Sequence, residues 1–221
     1  TGNITLSFSE LIRQAVDDAA LTNSNIGNHI DFRETDVNGS VVPATITIDG
    51  SKQTVTIAPT ADLEYSQVYY VAVLATVEDI SDNAIAATNA TFTTEDKTPP
   101  TVTITPAHNS SNVSVKANIT YDFDEPVRNT DNTPLDDTNV DDLIILRDIN
   151  KNGTNIAFDA TINANKTQIT VAPGADFNSL QYIYTEIGAT VEDTSDNIIV
   201  AIKSLFRTVD ATLPSVEILP A

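Results

Sequence analysis

Ala75-Thr76-Val77-Glu78-Asp79-Ile80-Ser81-Asp82-Asn83 returns 114 residues later as Ala189-Thr190-Val191-Glu192-Asp193-Thr194-Ser195-Asp196-Asn197. The recurrence extends outward from there. Residues 55–62 match 169–176, and 100–107 match 214–221 at the same shift, whereas 3–10 match 118–125 at 115. The first repeat therefore carries one extra residue between Arg13 and Thr22, a difference of loop length. A unit of about 110 residues has the size of an independent domain and is too long for a solenoid repeat. The sequence thus predicts two tandem domains, 1–97 and 98–212, followed at 213–221 by the opening strand of a further repeat. The boundary falls at Glu95-Asp96-Lys97-Thr98-Pro99-Pro100, where two prolines stiffen the chain and forbid a helix. The first repeat lacks the Pro-Pro-led segment that opens the second, as expected of a slice from a longer array.

Within each repeat, Ile4/Leu6/Phe8, Val55/Ile57, Tyr69/Val71/Val73, Val102/Ile104, Ile119/Tyr121/Phe123 and Ile169/Val171 alternate with polar residues. Period two puts one face in and one face out, the mark of half-buried strands. Asn38-Gly39, Asp49-Gly50, Asn152-Gly153 and Pro173-Gly174 supply turns between them. About seven short strands per repeat predict an all-β fold of antiparallel sandwich type. Two stretches depart from this: Leu11, Ile12, Ala15, Val16 and Ala19 fall at helical spacing between Leu11 and Leu21, and Thr138 to Leu143 suits one helical turn.

Composition narrows the function. The 221 residues carry 11 Lys+Arg against 31 Asp+Glu, a formal charge of −20, with no Cys, Met or Trp. Such a chain repels nucleic-acid backbones and anionic lipid, and no basic patch offsets the charge. Without cysteine there is no disulfide scaffold, thiol nucleophile or cysteine-ligated metal. The apolar runs are too short to span a bilayer. A hydrophobic fraction of 41% still suffices for a core.

The order of a Pro-Pro-led strand, Asn-Ile-Thr-x-x-Phe-x-Glu, an Ala-Pro turn, a Tyr-rich strand, Val-Glu-Asp-x-Ser-Asp-Asn and a closing Phe strand resembles the bacterial Ig-like repeats of S-layer proteins and large surface adhesins. The resemblance covers nearly the whole chain. It implies two tandem Ig-like domains of an extracellular, cell-surface or secreted protein, structural or adhesive and not enzymatic. Its partners would be neighbouring repeats and a surface protein or glycan, with no nucleic acid and no membrane insertion. Where that family commonly has Asp-x-x-Gly-Asn before the last strand, this chain has Asp82 and Asp196 in place of the glycine. Without the antibody-type Cys and Trp, Tyr70 and Tyr184 are the expected aromatic anchors.

Nucleophilic catalysis needs a base, and the two histidines, His29 and His108, have no counterparts in the other repeat, so both read as ordinary surface or loop residues. A glycosidase-like carboxylate pair has no flanking aromatic platform, and sugar stacking lacks Trp. The acidic loops offer more. Glu78, Asp79, Asp82 and Asn83, with Glu192, Asp193, Asp196 and Asn197, present hard oxygen ligands of the kind calcium takes. In an Ig-type sandwich Glu10 lies near Asp79 and Asp82, and Glu125 near Asp193 and Asp196, while the linker brings Glu95 and Asp96 towards the second group. Asp62 and Glu64 would face them from the first domain. The expectation is calcium stiffening the junction through Glu95, Asp96, Glu125, Asp193, Asp196, Glu10, Asp79 and Asp82. The same residues are turn formers, needing no metal. Arg13/Arg128 and Arg33/Arg147, at equivalent positions, read as partners of carboxylates within each domain. A carbohydrate- or protein-binding accessory module of a secreted enzyme is the alternative reading.

Overall fold

The computed structural model describes residues 2–217. The chain divides into two compact units, Thr1–Lys97 and Thr98–Ala221.

In the first unit β1 (Ile4–Ser7), β2 (Arg13–Gln14), β3 (Ile30–Glu34), β4 (Ala44–Ile48), β5 (Thr54–Pro59), β6 (Val68–Val73), β7 (Val77–Glu78) and β8 (Thr88–Thr93) follow one another. They build sheets of order β1-β5-β4 and β3-β6-β8 and a short β2-β7 ribbon, all antiparallel. Val55 and Ile57 from one sheet and Phe32, Tyr69, Val71 and Val73 from the other share a single core, which makes the unit a sandwich.

The second unit repeats the plan with β9 (Val102–Thr105), β10 (Ile119–Phe123), β11 (Arg128–Asn129), β12 (Ile144–Asp148), β13 (Phe158–Ile162), β14 (Gln168–Pro173), β15 (Tyr182–Ile187), β16 (Val191–Glu192) and β17 (Ile202–Arg207). Its sheets are β13-β14-β10-β9 and β12-β15-β17, with a β11-β16 ribbon. Ile4↔Ile57 and Leu6↔Val55 in the first unit correspond to Ile119↔Val171 and Tyr121↔Ile169 in the second, so the sequence repeat is also a repeat of register.

The alternating residues form the cores. Ile119, Tyr121, Phe123, Ile169 and Val171 are buried, whereas Ile4, Leu6 and Phe8 are only half covered. β10 lies between β14 and β9, while β1 is paired by β5 alone among the described residues. Gly39 and Gly153 hold equivalent turns by close approach: a Cβ there would stand 1.6 Å from the Glu34 carbonyl oxygen and 1.7 Å from that of Asp148.

Two expectations need correction, for Leu11 to Leu21 and for Tyr70. Leu11 to Leu21 forms no helix: it contains β2, a turn and an isolated bridge of Ala20 to Arg13, with Val16 exposed to solvent. The single helical turn expected within Thr138 to Leu143 is present, as a 3-10 turn at Val140–Leu143, and Ile26–His29 is its equivalent. In each, the carboxamide oxygen of the preceding Asn25 or Asn139 accepts a hydrogen bond from Thr22 N or Asp136 N, at 2.7 and 2.9 Å. In the first unit the buried tyrosine is Tyr69, not Tyr70, with ring centroids 5.8 Å from the buried Phe32 and 5.6 Å from Phe92. Tyr184 is buried as expected, but Tyr121 and the edge-on pair Phe177–Phe206 occupy the second core. Of the predicted opening strand at 213–221, residues 213–217 carry no strand pairing, and the rest lies outside the described residues.

Candidate functional site

The acidic loop between the ribbon and the last strand folds on its first aspartate. Asp79 Oδ1 accepts hydrogen bonds from Ser81 N (2.7 Å) and Asn83 N (2.9 Å), and Oδ2 accepts one from Asn83 Nδ2 (2.8 Å). Asp193 repeats this with Ser195 N, Asn197 N and Asn197 Nδ2 at 2.7, 2.9 and 2.8 Å. Both are turns closed by an aspartate side chain. Hydrogen bonds from the Asn83 side chain and from backbone amides hold the Asp79 carboxyl below its ordinary range, with the Arg13 charge assisting. Asp82 and Asp196, at φ of 65° and 67°, occupy the left-handed region. That conformation is the one glycine adopts without strain and aspartate tolerates.

The short ribbons place an arginine among these carboxylates. Register sets Arg13 opposite Glu78 and Arg128 opposite Glu192. Arg13 Nε meets Glu78 Oε1 at 3.0 Å, while Nη2 reaches Asp18 at 3.2 Å and also bonds Asp82. Arg128 Nε meets Glu192 Oε1 at 3.2 Å, and Nη2 meets Asp196 Oδ1 at 2.6 Å. Glu78 and Glu192 are buried. Their charges are thus balanced by a guanidinium that other loop acids also share.

Carboxylate oxygens of Asp18, Glu78 and Asp82 lie within 4.8 Å of one another, a spacing a hard cation accepts, yet Arg13 already stands among them. In the second unit Glu125 and Asp193 also bring oxygens within 4.8 Å. Asp196 belongs instead to the Arg128 pair. Glu10 is exposed at the bend after β1 and joins no group of three acidic ligands among the described residues. Glu95 and Asp96 lie on the segment leaving the first unit, where Glu95 pairs with Lys97 at 3.2 Å. Asp79 serves its loop. Asp18, which the sequence reading passed over, sits in a turn at φ 57° and reaches the cluster only through the fold.

His29, expected at the surface, is buried at the end of its 3-10 turn, with Nδ1 2.8 Å from the Thr76 hydroxyl and Nε2 without a partner. Burial pushes its pKa down. His108 Nδ1 accepts from Leu205 N at 3.0 Å. In the second unit Tyr184 donates to Glu186, which Lys151 also meets at 3.0 Å. Burial and the Glu186 hydrogen bond push the tyrosine up to about 12. Tyr184 recurs as Tyr70, but Ala72 and Val37 stand where Glu186 and Lys151 do, and Leu143 stands where His29 does.

A family model described as bacterial Ig-like domain matches residues 1–94 and again 96–208. Among curated proteins none matches the chain. One solved structure, described as an anomalous substructure of titin A168–A169, is similar at 8% identity with a TM-score of 0.34, covering 82% of this chain and 83% of its own.

Proposed function

Because the chain belongs, twice over, to the family of bacterial Ig-like domains, we propose that it is a spacer and interaction array of a bacterial cell-surface or secreted protein, of S-layer or adhesin type. One arrangement supports a mechanical role above all. In the second unit the segment before β10 runs parallel to the last strand, with a bridge between Val113 and Thr208. Asn109 N–Leu205 O (2.7 Å), Arg207 N–Ser110 O (2.8 Å), Val113 N–Arg207 O (3.2 Å) and Val209 N–Val113 O (2.7 Å) join the two. Tension on the ends of a chain pulls parallel terminal strands in opposite directions, so these bonds are sheared together rather than opened one by one. Domains of this family are typically non-catalytic and typically stand on surface proteins, which agrees with the reading. Antibody labelling of intact source cells, with protease shaving, tests it. The chain should be labelled and cleaved without lysis; reactivity that appears only after lysis would refute the surface role.

Calcium forms the second part of the proposal. The pair Glu125 and Asp193 is its support, since these carboxylates offer oxygens at ligand spacing. In the first unit the group of three acids at ligand spacing among the described residues is Asp18, Glu78 and Asp82, and Arg13 already pairs with all three. Calcium at concentrations of about 10⁻⁴ to 10⁻³ M, typical of extracellular modules, should therefore raise the melting of the second unit and leave the first unchanged. No shift at several millimolar, or a shift of the first unit alone, would contradict it.

A further inference from the structure

The outer face of the β12-β15-β17 sheet is charged unlike any strand face of the first unit. Ile183, Thr185, Ile187, Ser204 and Phe206 are buried on the core side, so alternation turns Ile145, Arg147, Tyr182, Glu186, Lys203 and Arg207 to the other. Register aligns Ile145, Glu186 and Lys203 in one row and Tyr182 with Arg207 in another. Lys151 joins them through its 3.0 Å contact with Glu186. Arg147, Lys151, Lys203 and Arg207 thus share a face in a unit whose residues 98–212 hold 7 Lys and Arg against 16 Asp and Glu. They lie far apart in sequence and are gathered only by register. In the first unit Asp31, Val37, Ala72, Asn89 and Thr93 hold the places of Ile145, Lys151, Glu186, Lys203 and Arg207. Arg33 there has Asp31 at 2.7 Å. Arg147, lacking that aspartate, keeps a buried Nε without a hydrogen-bond partner. Among the described residues neither it nor Lys203 nor Arg207 forms an ion pair, although Asp210, bonded to Ser179, lies within reach of the Arg207 charge.

Apolar side chains stand among these cations. Ile149 and Tyr182 have 60% and 48% of their surfaces exposed, and Arg207 Cζ lies 5.4 Å from the Tyr182 ring centre. Ile149 N donates to Tyr182 O at 2.8 Å, as Thr35 N does to Val68 O. Both Ile149 and Thr35 stand at φ 61°, so the turn dictates the conformation but not an aliphatic side chain. A β-branched residue held in the left-handed region with its side chain in water gains nothing within its own chain. A partner that suits this face brings carboxylates around apolar groups. That combination belongs to a polypeptide, whereas polysaccharides and nucleic acids offer their charges on hydrophilic backbones.

The first unit carries the complement. On the loops beside its β2-β7 ribbon, Val16 and Ile80 are 85% and 67% exposed. Asp18 and Asp82, on the same loops, converge on Arg13, and Asp17 is exposed beside them. The corresponding loops of the second unit have Thr130, Asp131 and Asn132, and Thr194, with no apolar side chain. We propose that the outer face of β12-β15-β17 docks the ribbon loops of the first unit of a second copy of this chain. Val16 and Ile80 pack on Ile149 and Tyr182, while Asp17, Asp18 and Asp82 meet Arg147, Lys203 and Arg207. The contact is heterologous, so copies join head to tail. At about 0.15 M salt, charges farther apart than about 8 Å are screened, which mutes the repulsion between chains of charge −20 and leaves the contact charges active. This names a partner for the interaction array proposed above and rests on that reading for its setting alone. It is assayed on the purified chain, so its failure would leave the surface reading standing.

Sedimentation velocity of the full chain from micromolar to millimolar concentration is the test. Association that grows with concentration at 0.15 M salt is expected. Lys203→Glu with Arg207→Glu on the face, or Val16→Ser with Ile80→Ser on the loops, should each weaken it at least about tenfold, and calorimetry should show both variants folded. Mixed together, the two variants should form a one-to-one complex that grows no further, because one copy retains the face and the other the loops. A chain that stays monomeric, association that neither variant weakens, or variants that fail to pair when mixed would overturn the proposal. Binding of polygalacturonate to a monomeric chain, lost in the Lys203→Glu and Arg207→Glu variant, would assign the face to an acidic glycan and overturn it as well.

Discussion

Arg13 and Arg128 show how a single side chain settles the chemistry of an acidic loop. Glu192 keeps only 4% of its surface exposed and faces Arg128 across the ribbon. Replacing Arg128 by Met strands that carboxylate in a poorly solvated site and should cost the second unit about 2–4 kcal/mol, read by denaturant unfolding. The sequence displayed the acids and both arginines, but the partnership joins residues 65 apart in the first unit, so local spacing alone could not show that the guanidinium stands among them. His29 carries a second prediction. Burial lowers its folded-state pKa from the ordinary value of 6.5. As pH falls below that value the unfolded chain takes up a proton that the folded chain refuses, so stability is full above it and declines towards the lowered folded pKa. The first unit should melt at a lower temperature at pH 5.5 than at 7.5. His29→Leu, which installs the residue the second unit has at this position, Leu143, should reduce that difference in calorimetry.

Element by element, legibility followed the physics of periodicity. β10 and β14 announced themselves because alternate apolar residues fill one face, and burial of Ile119, Tyr121, Ile169 and Val171 follows from it. The helical spacing between Leu11 and Leu21 misled because two residues of ribbon, fixed by a long-range ion pair, outweigh a local preference. Tyr69 was harder still to choose over Tyr70. Adjacent strand residues face opposite sides, and only the register with β3 and β8 decides which side is the core. The loop after β16 is held by three hydrogen bonds to Asp193. Asp193→Ala should therefore destabilise the second unit by about 2–3 kcal/mol, and calcium, if it depends on that carboxylate, should lose its effect on melting in the same variant.

At the scale of the whole molecule, the duplication was legible from the sequence because both register and loop chemistry recur at one shift. The terminal strands carry the mechanical claim. The second unit has parallel bonds between 109–113 and 205–209. Single-molecule stretching of the chain by its two ends tests this most directly. Two discrete unfolding steps are predicted, each lengthening the chain by about 30 nm at about 3.3–3.6 Å per extended residue, and Val113→Pro, which removes the amide that donates to Arg207 O, should lower the force of one of them. One merged step, or an unchanged force in that variant, would contradict the account.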